Sequence, residues 1–229
     1  IHQHELRRLS RFGLLPADAR LEEDTLVLAD GSRLDTDLGY AATRAALGRV
    51  FEGRRLRNGC YLRGAFFLGS KAFYAWLRGL GGEELDGFSM TRVSDINQLS
   101  GGRASLQGLQ RRGARFFNTC MMATALGAAA SDALEDGRVV SGVGGQYNFV
   151  TMAHALPDGR SVLLLRSCRL GPTGVRSNIL WSYGHTTIPR HLRDVFVTEY
   201  GVADLRGKSD QDCVLAMLAI TDARFLDRL

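Results

Sequence analysis

Apolar residues recur along this chain in two periods, and each period predicts a set of elements. Alanines and leucines over residues 38–50 fall at helical spacing, and the pattern stops near Gly53. Ser70 stands as an N-cap ahead of Phe73, Trp76, Leu77 and Leu80, which share one face of a helix running to about residue 80, where Gly81-Gly82 ends it. Phe149, Met152, Ala153 and Leu156 repeat the same spacing. Ser209 followed by Asp212 forms a capping box that opens a last helix, with Cys213, Val214, Met217, Leu218 and Phe225 inward. Shorter apolar runs predict strands over 25–28, 61–68, 88–93, 115–120, 160–167 and 195–200. Val162 to Leu165 is uninterrupted, as suits a strand buried on both faces. Strands alternating with helices predict an α/β domain with a mostly parallel sheet flanked by helices, and such sheets bind ligands at the carboxyl ends of their strands. Residues 1–35 are polar and arginine-rich, with a turn at Asp30-Gly31. This stretch therefore reads as a lead-in or linker, with the first helix after it.

The densest signal is Val139-Val140-Ser141-Gly142-Val143-Gly144-Gly145-Gln146, with Gly137 just ahead. It reads as a short strand emptying into a glycine loop before the helix that carries Phe149. Without Cβ atoms in the way, a ligand can reach the backbone of such a loop, and bare amides can hold phosphate or a developing oxyanion. The alternative is a tight strand-to-helix turn with no ligand.

Composition narrows the class. Of 229 residues, 45% are hydrophobic and 23% charged, the balance of a globular protein with a real core. No apolar run approaches the roughly 18 residues of a membrane span, and no signal peptide is expected. The chain starts at Ile1, so it is expected to be a piece of a longer protein. Cys60, Cys120, Cys168 and Cys213 form no CxxC pair and fit no zinc spacing; they predict reduced thiols in a cytoplasmic protein with no metal. The net charge of +5 comes from scattered arginines without interleaved aromatics, which argues against nucleic acid. Solvated faces come first as its explanation and a phosphate-bearing ligand second.

A second dense segment, Thr198-Glu199-Tyr200-Gly201-Val202-Ala203-Asp204-Leu205-Arg206-Gly207-Lys208, follows the last predicted strand. Together with Gly142-Val143-Gly144-Gly145-Gln146, Gly64-Ala65-Phe66-Phe67-Leu68-Gly69-Ser70 and Val93-Ser94-Asp95-Ile96-Asn97, it resembles the C-terminal domain of the acetyl-CoA hydrolase/transferase family, in the same order and spacing over roughly residues 55–229. The resemblance implies a CoA-transferase-like fold, with an N-terminal half elsewhere completing the active site. It also implies an acyl-CoA and a small carboxylic acid as substrates, coenzyme A as substrate rather than bound cofactor, a homo-oligomer, and no membrane or nucleic-acid partner.

The family's nucleophile is a glutamate, and the stretch that resembles its segment is Phe116-Phe117-Asn118-Thr119-Cys120-Met121-Met122-Ala123-Thr124-Ala125-Leu126-Gly127. Met122 stands where the glutamate belongs, and no acidic residue lies between Arg115 and Ser131. A thioether cannot form an acyl anhydride. What remains implied is a substrate site of Asn118, Met122, Gly142, Gln146 and Asn148, with the amides of Gly144 and Gly145 as oxyanion donors. Glu199 and His185 are candidates for acid–base work, as is His154, and Cys120 lacks a local base. Two readings stay open: an acyl-CoA hydrolase or CoA-transferase, of which a thioesterase using activated water fits Met122 better, and a non-catalytic acyl-CoA-binding or regulatory domain. By propensity the alanine-rich run 121–134 favours helix, whereas the family pattern there is strand and turn.

Overall fold

The computed structural model describes residues 1–99 and 104–229, which form two compact units, Ile1–Val93 and Ser94–Leu229. The boundary between the units falls beyond residue 55, where the family resemblance begins.

Unit 1 begins with α1 (Gln3–Arg11) and a three-stranded antiparallel meander, β1 (Arg20–Glu22), β2 (Thr25–Val27) and β3 (Arg33–Asp35), followed by α2 (Ala41–Phe51). The polar segment 1–35 thus carries structure of its own. Four of its apolar residues, Leu6, Leu15, Ala19 and Leu26, are buried and close over Leu47 of α2 as a small core, with Ile1, Leu9, Leu21, Leu28 and Leu34 packed against it. β4 (Leu62–Gly64) pairs in parallel with β5 (Phe88–Met90), and between them lie α3 (Lys71–Gly79) and α4 (Gly82–Asp86). Ser70 caps α3 as the sequence predicts, its hydroxyl accepting from the Phe73 amide at 3.2 Å. The strand expected over 61–68 stops at Gly64, and Phe66 and Leu68 beyond it are exposed.

The remaining elements are α5 (Val93–Asn97), α6 (Ala104–Gln110), β6 (Arg115–Thr119), β7 (Met122–Thr124), β8 (Ala129–Ala130), α7 (Gln146–Ala155), β9 (Arg160–Leu164), the hairpin β10 (Cys168–Gly171) and β11 (Gly174–Ser177), β12 (Ile179–Leu180), β13 (Val195–Thr198), β14 (Gly201–Asp204) and α8 (Asp210–Ala219). The main sheet of unit 2 has the order β14-β13-β9-β6, with β6, β9 and β13 parallel and β14 antiparallel at one edge. Leu163, Phe196 and Ala203 project from one face. They form a single core with Val150 of α7 and with Cys213 and Met217 of α8, all buried. Phe116 of β6 stacks on Phe149 of α7 with ring centroids 6.1 Å apart. The register places Phe117, Val162 and Val195 together on the opposite face. Ser209 caps α8, its hydroxyl accepting from the Asp212 amide at 3.2 Å and donating to the Asp212 carboxylate at 2.7 Å, without the reciprocal backbone bond of a full capping box; α8 ends at Ala219, and Phe225 is buried from a separate 3-10 turn, Ala223–Arg228.

A second ladder, β12-β7-β8, uses the alanine-rich run. Its helix propensity of a few tenths of a kcal/mol per residue is overridden. The Ala123 amide donates to Asn178 O at 2.9 Å, the Ala125 amide to Leu180 O at 2.8 Å, and the Ala129 amide to Ile188 O at 2.9 Å. Small side chains let these strands lie close in a core where Ala123, Ala129, Ile179 and Ile188 are at most 2% exposed. The strand expected at Val139-Val140 does not form. Two apolar residues are too short a run to build a ladder, and Val139 makes only one bridge, to Ala133. Among the described residues no helix is long and apolar enough to cross a membrane.

Candidate active site

Parallel strands β6, β9 and β13 end at Thr119, Leu164 and Thr198, and these carboxyl ends define the edge where an open α/β sheet takes ligands. The glycine loop reaches that edge. Gln146, the first residue of α7, is buried, and its Nε2 donates to Thr119 O at 3.0 Å. Gly144 has a φ of +61°, which favours glycine on conformational grounds. At Gly145 the constraint is space, since a Cβ would lie 3.2 Å from the Phe149 ring and 3.4 Å from Asn97 Nδ2. Gly142, Val143 and Gly144 are exposed, so the loop lies at the surface rather than in the core. Three buried amide atoms nearby have no hydrogen-bond partner among the described residues: Asn97 Oδ1, Asn118 Nδ2 and Gln146 Oε1. Buried polar atoms are normally satisfied, and orphans gathered at one strand end suit a place where water or ligand supplies the missing bonds. Asn148 is half-buried on α7, where its carbonyl accepts from the Thr151 hydroxyl at 3.0 Å.

A second group of polar side chains is tied to the start of the loop. His185 Nε2 lies 3.1 Å from Asp132 Oδ1, and the Thr187 hydroxyl donates to the same oxygen. The Ser131 amide in turn donates to Thr187 Oγ1 at 2.8 Å. Asp132 is buried, and the Thr187 hydroxyl, with His185 after it, holds its carboxyl below the usual carboxylate range. A carboxylate only accepts, so Nε2 donates in this bond and Nδ1 is the ring's other nitrogen. The His185 side chain is 33% exposed. The carbonyl of Asp132 accepts from the Val140 and Ser141 amides at 2.8 and 3.1 Å, so the aspartate that orients the imidazole also anchors the residues leading into Gly142. Asp132 is absent from the sequence-derived site because 53 residues separate it from His185, and no short motif links them.

Other candidates are held elsewhere. Glu199 is exposed in the two-residue turn between β13 and β14, and its Oε2 accepts from the Ser167 amide at 2.9 Å, joining the ends of β9 and β13. The neighbouring Tyr200 hydroxyl donates to Asp222 Oδ2 at 2.8 Å, and Asp222 also pairs with Arg224 at 2.6 Å. Met122 is 2% exposed inside β7, packed away from solvent. His154 lies at the end of α7 remote from the glycine loop and pairs with Leu192 O at 2.9 Å. Burial pushes the Cys120 thiol up to about 12 and keeps it protonated. Among the described residues no three His, Cys, Asp or Glu side chains are placed to hold a metal ion.

Residues 69–229 match the family described as acetyl-CoA hydrolase/transferase C-terminal domain. The chain belongs to this family. This acetyl-CoA hydrolase/transferase domain is 29% identical over 114 residues to 4-hydroxybutyrate coenzyme A transferase of Clostridium kluyveri, a match covering 49% of the chain and 26% of that protein. It is 30% identical over 116 residues to a probable butyrate:acetyl-CoA coenzyme A-transferase of Syntrophomonas wolfei, with the same shares. The structure is similar to RipA from Yersinia pestis, with a TM-score of 0.56 and 25% identity over 72% of the chain and 35% of RipA. It also shares its fold with 4-hydroxybutyrate CoA-transferase from Porphyromonas gingivalis, at a TM-score of 0.51 and 23% identity over the same shares. The domain thus has a CoA-transferase-like α/β fold and spans about a quarter of the length of the curated relatives it matches.

Proposed function

We propose that the chain is the C-terminal part of a cytoplasmic enzyme acting on CoA thioesters, by water activation rather than through a covalent glutamate. The observation that carries this reading is the Asp132–His185 pair anchored by backbone to the glycine segment. A carboxylate that accepts from one imidazole nitrogen leaves the other basic and aimed, as a general base requires. Water placed on Nδ1 gives up its proton as its oxygen attacks the thioester carbon. The amides of Gly144 and Gly145 hold the oxyanion that forms, and Asn118, Gln146 and Asn148 border it. Collapse breaks the C–S bond, the proton passes from the imidazolium to the CoA thiolate, and a carboxylic acid and free CoA leave. Glu199 serves the site from the strand ends it joins. Met122 takes the place of the nucleophilic glutamate, and a buried thioether supplies no acceptor for an acyl group.

Release of free thiol from short acyl-CoAs by the full-length protein tests this. His185→Ala is expected to lower turnover by about 10²–10⁴, the span of a general base, with thermal stability close to wild type. Full activity in that variant would refute the role, and a hydroxylamine-trapped glutamyl-CoA adduct on any carboxylate would refute the mechanism.

The burial of Met122 also favours a second reading, an acyl-CoA-binding domain without turnover. Calorimetric binding of acetyl-CoA with no thiol release would select it, and no binding would discard both. A small carboxylic acid as product, an N-terminal half completing the cleft, and a homo-oligomer belong to the same proposal.

A further inference from the structure

Unit 2 carries a second concavity, of about 760 Å³, lined among others by Arg138, Arg169, Arg176, Arg228 and Trp181. Glu135 and Asp136 line it too, and Asp136 lies 4.0 Å from Arg138. The other three arginines meet no carboxylate within ion-pair distance among the described residues. Arg169 donates to Asn178 Oδ1 and to Ser177 O at 3.3 Å, and Arg176 to Thr173 Oγ1 at 2.7 Å, all neutral acceptors. Cations gathered around one hollow raise its potential and draw anions, and guanidinium forks match phosphate oxygens. Trp181 is 59% exposed, which leaves its indole face open to a planar ring.

The cavity also lies in a useful place. Arg169 sits on the hairpin that follows the carboxyl end of β9. Arg138 precedes Gly142 by four residues, so their Cα atoms can be no more than about 14 Å apart. One segment therefore borders the arginine hollow at one end and forms the glycine loop at the other.

We propose that this cavity holds the nucleotide end of coenzyme A, with its phosphates on Arg169, Arg176 and Arg228 and its adenine against Trp181. The assignment rests on the CoA-thioester reading above and adds to it where the polyanionic end of the substrate is held. The pantetheine arm then runs along residues 138–142 toward the amides of Gly144 and Gly145.

Calorimetry on the full chain with acetyl-CoA, acetyl-pantetheine and adenosine 3′,5′-bisphosphate tests it. Arg176 and Arg228 are exposed, so the double reversal Arg176→Glu/Arg228→Glu is expected to fold as wild type. It should weaken acetyl-CoA at least tenfold, abolish binding of the bisphosphate, and leave acetyl-pantetheine unchanged. Trp181→Ala should weaken acetyl-CoA and leave acetyl-pantetheine alone. Unaltered acetyl-CoA affinity in both variants would overturn the cavity assignment and leave the thioester reading standing. Arginine-dependent binding of the bisphosphate with no binding of acetyl-pantetheine would uphold the cavity as a nucleotide site and overturn the thioester reading.

Discussion

Replacing Met122 by glutamate restores the residue that the family resemblance expects, and the structure opposes it. The side chain is 2% exposed in β7, between β12 and β8, with apolar neighbours in the ladder. A neutral carboxyl buried there without a partner costs about 1–3 kcal/mol. The ionised form is worse, so the group stays protonated. Holding it so at pH 7, against an unfolded-state pKa of about 4.3, costs about 1.4 kcal/mol per pH unit, or roughly 3.7 kcal/mol. The total, about 5–7 kcal/mol, is comparable to the whole stability of a typical domain, about 5–15 kcal/mol. The sign with pH follows. Because the folded-state pKa is raised above the unfolded one, the ionisation penalty is absent below about pH 4.3 and grows as pH rises, by about 2.7 kcal/mol between pH 5 and 7. Urea unfolding of Met122→Glu at both pH values, followed by Trp181 fluorescence with Trp76 replaced by Phe, measures this. Met122→Leu serves as the volume-conserving control, expected to cost less than about 1.5 kcal/mol. A glutamate variant as stable as wild type at pH 7, or a loss independent of pH, would show that position 122 reaches water, and the argument for a missing nucleophile would fail.

Other consequences are equally open to measurement. Gly127 has a φ of +84°, and a Cβ there would lie 2.8 Å from Leu205 Cδ1 and 2.9 Å from Arg193 Cβ; Gly127→Ala should cost about 2–5 kcal/mol in denaturant unfolding, and a loss below about 1 kcal/mol would contradict the geometry. Arg224 holds the Asp222 carboxyl well below the ordinary carboxylate range. Its contribution is therefore present above the unfolded pKa and lost as pH falls through the folded one, so the stability gap between wild type and Asp222→Asn should close on acidification, and a constant gap would refute the assignment. Under native conditions at pH 8, Cys60 should be alkylated by iodoacetamide while Cys120, buried and protonated, stays intact; rapid modification of Cys120 would mean the β6–β7 corner opens.

Local chemistry made much of the fold legible. Ser70 and Ser209 announce their helices because an N-cap is a single-residue property, and the run from Val162 to Leu165 announces β9 because a doubly buried strand needs no polar alternation. Residues 121–134 read ambiguously because their strands are held by partners at 178–180 and 188, which no local window contains. The glycine loop was legible as backbone made accessible, although the strand imagined ahead of it is a single bridge. Asp132 was not legible as a partner of His185, since their meeting depends on the β7–β8 ladder and on the segment after β12 folding over it. The core of unit 1 was hidden for another reason: Leu6, Leu15 and Leu26 come from a helix, a loop and a strand set among arginines and acids, and no local window shows that topology gathers them.

Phe117 on one edge strand of the main sheet and Val202 on the other are each 65% exposed. A parallel sheet is ordinarily clothed on both sides, so a copy of this chain handled by itself carries sticky surface into solution. Dilution then becomes a hidden variable in every titration above. Light scattering should climb with protein concentration, and Phe117→Lys should flatten that climb without lowering the melting temperature.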